Sequence, residues 1–546
     1  MGKKNTKKTQ TVKLNPGNII TGAYLIAMLL VFPVYYHQWY ADILEARYGF
    51  FLAATAVYAG LLLLWGIFSK KLTGYFREAV RTNADENGKW FKNWFRKEFR
   101  ITDRLMLLFF AVNLLSMLLA SPYMYQAFYG NEGRDQGMIF IAVVTVMYFC
   151  VTRNMKFKQY YAELFAFSSL FICIFGITDF FGQDILGFKR YMSDPRQLDT
   201  FASTIGNINS YSNYVAMIIG FFGGLFIFQE KSVVYRICDY VVFAVAVLAI
   251  ILSTSDNAYL AIAAFWAFLP VVALKTRNGL KRYLLTIATL LTAFRIAGGI
   301  AAKYGDAVWT LSGATRIIAN FKYLTAAMIV LWALTIALYA YDILGKIPGK
   351  ALLPKALRWI WLGLVIAGIA GVVGVILWST GNPEAAKAAF GNMSEYLIFN
   401  DHWGTDRGCV WRCLMEEFGK LPLYRKMIGT GPETMGIYLI NSRYEEIALT
   451  THQFYDSAHN DYLQYLFNIG IVGLLTYLGL LIAFFKETLS YQPETWRPYV
   501  LGAAAAVLCF LFPIAVTVNV PIISPVFWLM IAIGIGICRK TSRGEL

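Results

Sequence analysis

Apolar runs of about 17–25 residues recur along the chain between short charged pieces, and each is long enough to cross a hydrocarbon core of roughly 30 Å as a helix. Periodicity alone does not separate such runs from buried helices, so length decides. The pattern predicts spans at 19–36, 49–68, 104–121, 137–152, 160–182, 211–228, 237–253, 257–275, 283–301, 321–344, 357–379, 463–485, 499–518 and 521–538. The expected fold is all-α and polytopic, with about fourteen (12–14) transmembrane helices. Residues 1–379 would hold the first eleven spans with basic loops, 380–462 one large loop, and 463–546 the last three spans.

Composition supports this picture. A chain that is 58% hydrophobic and 15% charged is poorly suited to several soluble domains. The start, "MGKKNTKKTQTVK" before "NIITGAYLIAMLLVFPVYY", has the look of a secretory signal. Its apolar part is too long and lacks a cleavage site, so it reads as a retained first span. The formal charge of +16 need not imply nucleic acid, because Lys and Arg accumulate in cytoplasmic loops. With the N-terminus inside, about two thirds of the 49 Lys and Arg fall on the cytoplasmic side, in segments such as "RNMKFKQ", "TRNGLKR" and "RKTSRGEL". Both termini are then cytoplasmic, with no nucleic-acid partner expected. "KWFKNWFRKEFR" (Lys89 to Arg100) interleaves rings and cations, as an interfacial helix against anionic lipid does. The seven cysteines are scattered and suggest neither a disulfide framework nor a metal cluster.

On the outer side two loops are long, 183–210 and 380–462. All four histidines, His37, His402, His452 and His459, lie on that face, and three of them in the larger loop. Any chemistry is expected there. In "DRGCVWRCLMEEFGK" a helix from about Asp406 to Phe418 would align Arg407, Trp411, Leu414 and Phe418 on one face. Arg412 would point away, and Cys409 and Cys413 are poorly placed for a disulfide. Arg407 reads either as a phosphate-binding cation or as a surface arginine paired with Asp406 or Glu417. "DSAHNDYLQYLFNIGIVGLLTYLG" (Asp456 to Gly479) reads as a helix entry with Asp456 or Ser457 as N-cap. The positive helix end would keep His459 neutral and able to act as a general base; otherwise His459 is a capping or interfacial residue. Gly470 and Gly473 are spaced for close helix contact.

The stretch "HNDYLQYLFNIGIVGLLTYL" resembles the His-Asn pattern of the O-antigen ligase/polymerase family of bacterial membrane glycosyltransferases. Arg407 and Trp411, "GTGPE" (Gly429 to Glu433), and "TFASTIGNINSYSNYVAM" (Thr200 to Met217) follow that family's order. The resemblance spans roughly 190–490. It implies a GT-C-like enzyme of the bacterial cytoplasmic membrane that transfers a glycan from undecaprenyl diphosphate to an acceptor hydroxyl on the extracytoplasmic face. No cofactor or metal is implied, and the absence of an Asp-x-Asp in the outer loops agrees with that. His459 would be the essential histidine, Arg407 the loop arginine, and Arg196 (with Arg190 as rival) a further diphosphate ligand. Asn460, Asp461, Asn207, Asn209 and Trp411 would support the site. Where many relatives have an arginine between two central spans this chain has Asp256 and Asn257, and Arg295, inside a span, is a candidate replacement.

The physical logic is consistent with that implication. A polyprenyl donor keeps its diphosphate at the interface, where cations stabilise the departing anion. Attack opposite the diphosphate would invert the anomeric centre. The acceptor, whether polysaccharide, lipid, wall or protein, is left open by these motifs, as is ligase versus polymerase. The competing readings are a polytopic transporter or lipid-linked glycan flippase, in which internal repeats would be expected, and an envelope-assembly scaffold.

Overall fold

The computed structural model describes residues 15–84, 89–120, 122–192 and 203–544. Among the described residues twelve helices are long and apolar enough to cross a membrane: Pro16–Val34, Ile43–Phe68, Ile101–Leu118, Tyr160–Phe180, Ile208–Phe228, Val233–Leu252, Arg277–Ala307, Leu324–Leu344, Lys355–Gly381, Asp461–Leu489, Arg497–Ala515 and Ser524–Ser542. Two expected spans are shorter apolar helices, Met138–Asn154 and Ala258–Ala273. The second is divided at Pro270, which begins a new turn after Phe268, because proline lacks the N–H needed to continue a ladder. Among the described residues there is no strand, only an isolated bridge between Thr276 and Leu352. The chain is an all-α polytopic membrane protein.

Burial separates the helices into a centre and a rim. Ile208–Phe228, Arg497–Ala515 and Ser524–Ser542 are almost wholly enclosed, whereas Leu324–Leu344 and Lys355–Gly381 turn leucine, isoleucine and valine outward. In a bilayer such outward chains meet lipid at no cost, so the centre must be held by close packing. Gly220 and Gly224, four residues apart, provide it. A Cβ on Gly220 would lie 2.4 Å from the Ala505 carbonyl oxygen, and one on Gly224 2.8 Å from Gly502 Cα.

The two ends of the bundle differ in chemistry. Gly17 abuts Trp65 near the end of Ile43–Phe68, so the described N-terminal residues share an end with the basic connections. There Asp103 accepts a hydrogen bond from the Tyr148 hydroxyl at 3.0 Å and pairs with Arg153 and Arg539. Arg543 near the C-terminus meets Glu98 at 2.5 Å. Lys89 to Arg100 folds largely into the helix Trp90–Glu98, which packs beside Lys71–Asn83 through Trp94 Nε1 and the Tyr75 hydroxyl at 3.1 Å, with Phe91 exposed. The opposite end carries the large loop, built of Pro383–Phe390, Ser394–Leu397, Trp403–Lys420, Leu423–Ile428 and Met435–Thr451.

One long helix is broken. Within Asp461–Leu489, Gly470 has φ +70°, and a Cβ there would sit 2.4 Å from the Met427 carbonyl carbon. The close helix contact expected at this glycine is made by the end of Leu423–Ile428, a helix of the large loop, whereas Gly473 abuts Ile469 of its own helix. Carbonyls released by the break are taken up locally: Thr430 and Gly431 N–H donate to Phe467 and Asn468 at 3.2 and 2.9 Å, and Ser116 Oγ donates to Asn468 at 2.7 Å. A break at this depth survives because protein groups replace the lost ladder.

Candidate active site

The stretch 456–460 delivers the site. Asn460, not Asp456 or Ser457, caps the helix beginning at Asp461: its side-chain oxygen accepts from Tyr462 and Leu463 N–H at 3.0 and 3.1 Å. Asp456 instead forms a two-pronged pair with Arg134 at 2.8 and 3.0 Å. His459 adopts φ +46°, a left-handed conformation that histidine tolerates better than most residues. Its neighbour Ala458 is held on both sides, by Trp411 Nε1 donating to its carbonyl at 2.7 Å and by its own N–H donating to Gln464 at 2.9 Å. The imidazole lies edge-on to Tyr455, centroids 5.7 Å apart, and lines a cavity of about 610 Å³. Among the described residues its ring nitrogens have no hydrogen-bond partner. Asp42, Glu45, Glu132, Arg134, Asn207 and Asn209 also line this cavity.

Burial first, then the Arg407 and Arg134 guanidiniums, lower the His459 pKa to about 4, with Asp456 opposing. The imidazole is therefore neutral at pH 7. The helix-end field invoked from sequence points the same way, but desolvation and two arginines are the stated causes here.

Arg407 is unlike the arginines around it. Trp403–Lys420 becomes regular only from Arg407, after three left-handed residues at 404–406. Asp406 pairs with His402 at 2.8 Å, and Glu417 with Lys420 and Arg443 at 2.8 and 2.6 Å. Neither expected surface partner is available. Arg407 Nε is buried without a hydrogen bond, and desolvation lowers the guanidinium pKa. Arg412, by contrast, grips Asp401 through two 2.9 Å bonds and meets Glu446 at 2.8 Å. Arg407 does not line the 610 Å³ cavity; Tyr455 bridges the two regions, with its ring on His459 and its hydroxyl donating to the Thr405 carbonyl at 2.9 Å. Trp411 packs at a tilt against Phe399 and Trp403 in an aromatic trio. Cys409 and Cys413 are free thiols, as their helical spacing predicts.

The asparagine segment enters from the other side. Asn207 caps Ile208–Phe228 by accepting from Asn209 and Ser210 N–H at 2.9 and 3.2 Å. Asn209 accepts from Ser255 Oγ at 2.9 Å, and Asn257 donates to Asn213 at 2.9 Å, which ties the central turn to this helix. Asp256 accepts from the Ala314 N–H at 3.2 Å and the Tyr396 hydroxyl at 3.1 Å. Arg295, the candidate replacement for the relatives' arginine at this turn, is exposed on the flank of Arg277–Tyr304, and the cation within electrostatic reach of Asp256 is Arg407. Arg190 stacks over Trp39 at 4.2 Å and lines a different cavity with Asp179 and Lys189. Arg196 lies outside the described residues.

Three participants were missed by the sequence reading. Arg134 belongs to a short loop, where the only signal was an arginine among acids in "NEGRDQG". Arg47 is wholly buried and donates to the Tyr35 carbonyl at 2.9 Å and to the Thr204 carbonyl, which pins the approach to Asn207. Glu433, quoted only as part of "GTGPE", is buried with φ +55°, and burial raises its pKa to about 7.

The arrangement places a neutral imidazole on a polar cavity and, beyond Tyr455, a half-buried guanidinium that makes no ion pair. Among the described residues no group of three His, Cys, Asp or Glu is placed to hold a metal ion. Residues 308–478 match the family model described as O-antigen ligase, a segment that includes Arg407, Glu433 and His459. Among curated proteins, none matches the chain.

Proposed function

We propose that this protein, which belongs to the O-antigen ligase family through residues 308–478, transfers a glycan from an undecaprenyl-diphosphate-linked donor to an acceptor hydroxyl. The observation that carries this reading is a neutral His459 open to a cavity, its pKa lowered by burial first and then by the guanidinium of Arg407, which makes no ion pair and has Asp256 only within longer electrostatic reach. A buried cation without a partner is costly unless an anion arrives. A diphosphate supplies that anion and accepts paired hydrogen bonds from a guanidinium.

In the proposed step His459 takes the proton of the acceptor hydroxyl as its oxygen attacks the anomeric carbon. The bond from that carbon to the diphosphate oxygen breaks, and its electron pair stays on the phosphate, where Arg407 stabilises the growing charge. A single displacement inverts the anomeric centre. The acceptor glycan occupies the 610 Å³ cavity, where Asn209 and the carboxylates of Glu45 and Glu132 can receive sugar hydroxyls. No residue in this step requires a metal.

The basic end of the bundle faces the cytoplasm in this proposal, with both termini, and the 380–462 loop faces outward in a bacterial cytoplasmic membrane. The lipid diphosphate then lies level with the helix ends that carry the site. The test is complementation of a deletion strain. His459→Ala protein that is inserted at normal levels should give no surface glycan and accumulate the lipid-linked donor. Normal polymer from that strain overturns the base assignment.

A further inference from the structure

Beside His459 there is a second, smaller cavity of about 10 Å³, roughly the room of one water molecule. Five buried side-chain atoms around it lack a hydrogen-bond partner in the protein: Gln136 Nε2, Glu433 Oε2, Ser457 Oγ, Asp461 Oδ2 and Asn519 Oδ1. Each of these residues is at least nine-tenths buried. Buried polar groups are seldom left unmatched, and five around one space indicate a common polar occupant.

Charge narrows what that occupant does. Arg134 is the cation on this wall, and Asp456 already holds it by two hydrogen bonds. Glu433 also lies within electrostatic reach of Asp456 and Asp135, and Asp461 within reach of Glu433. Two buried carboxyls without a dedicated cation do not both ionise; a proton is shared between them. His459 lines this cavity as well as the larger one, together with Arg134 and Val518, so the imidazole adjoins both the acceptor space and the acid pair.

We infer that Glu433 and Asp461, bridged by a buried water, form a proton relay that receives the acceptor-hydroxyl proton from His459 and returns the imidazole to its neutral form. This rests on the reading of His459 as the base. The proton leaves the hydroxyl for the imidazole as the glycosidic bond forms and the diphosphate departs with its electron pair. It then passes through the water to a carboxylate oxygen of the acid pair, and later to solvent. No other reactant is needed. Glu433 and Asp461 touch no substrate in this scheme; they act through His459.

The pH dependence has a defined sign. The relay accepts a proton only while it holds a free carboxylate, so kcat should fall as pH drops through the value near 7 to which burial raises Glu433. The charged groups that set this limb are Arg134, Asp135, Asp456 and Asp461, with Arg407 acting on His459.

The experiment is a kcat profile from pH 5 to 9 on purified full-length protein in lipid nanodiscs with a lipid-linked glycan donor. Wild type should show a limb near neutrality. Glu433→Gln and Asp461→Asn should lower kcat by about 10- to 100-fold, keep the donor KM within about twofold, and lose that limb. Glu433→Asp should restore part of the rate and the limb. Wild-type rate and profile in both amide variants, with His459→Ala inactive, overturn the relay and leave the base standing. An active His459→Ala protein overturns the base itself. Infrared titration of glutamate-labelled wild type gives a check free of folding defects: a protonated carboxyl should disappear near neutral pH, and its absence at pH 6 refutes the relay.

Discussion

Replacing Arg407 by Ala isolates the contribution of the unpaired cation. The side chain makes no ion pair, and its Nε is buried without a partner; Asp256, the carboxylate within its electrostatic reach, keeps its hydrogen bonds from Ala314 and Tyr396 when the guanidinium is lost. Stability should change by less than ~1 kcal/mol. Catalysis should suffer far more. Removing one preorganised donor from a developing anion costs ~3–4 kcal/mol, or ~10²–10³-fold in kcat. The pKa of His459 should also rise from about 4, because Arg407 is the largest cause after burial. Arg412→Ala gives the opposite signature. That residue holds Asp401, Glu416 and Glu446 together, and a half-exposed network of three pairs contributes ~1–2 kcal/mol. Its variant should melt earlier while keeping most activity per folded molecule. The assay is thermal unfolding alongside glycan transfer by purified protein. A fully active Arg407→Ala enzyme, or equal and complete loss from both variants at unchanged stability, refutes the reasoning.

Other outcomes follow from the same geometry. Gly470→Ala forces a Cβ into contact with the 427–428 backbone at a left-handed position; it should cut the yield of folded protein and lower the melting temperature. Asn460→Ala removes the helix cap and should cost ~1 kcal/mol, while lowering kcat more than that loss explains, because the cap also fixes the turn carrying His459. The His459 pKa is about 4, down from 6.5, so its contribution to stability is complete above about 6.5 and is lost as pH falls towards 4. A denaturation series across that interval, compared with His459→Gln, should show the wild type losing more. Gly220→Leu, against the Ala505 backbone, should prevent the central helices from packing, read as loss of a monodisperse peak in detergent.

The membrane fold was legible because one signal, length of apolar run, dominates every other preference in a bilayer. The boundaries of Ile208–Phe228 and Asp461–Leu489 begin only a few residues earlier than expected. Length could not reveal the break at Gly470, which depends on a loop 40 residues upstream supplying N–H groups to the opened carbonyls. His459 and Arg407 were legible as rare residue types in an outer loop. Their state was not: whether Arg407 was paired depended on Asp406 and Glu417 choosing other partners, which is a tertiary outcome. Arg134, Arg47 and Glu433 escaped because nothing in a single sequence relates position 134 to 456, 47 to 204, or 433 to 461. The placements of Arg190, stacked over Trp39, and of Arg295, exposed on a helix flank, were likewise not legible, since charge near or within a span does not say what the side chain meets.

The most direct test of the central claim is single-turnover glycan transfer by His459→Ala protein with the lipid-linked donor already bound. The account predicts unchanged donor affinity and a rate of bond formation lower by ~10²–10⁴-fold. Bond formation at the wild-type rate would contradict it.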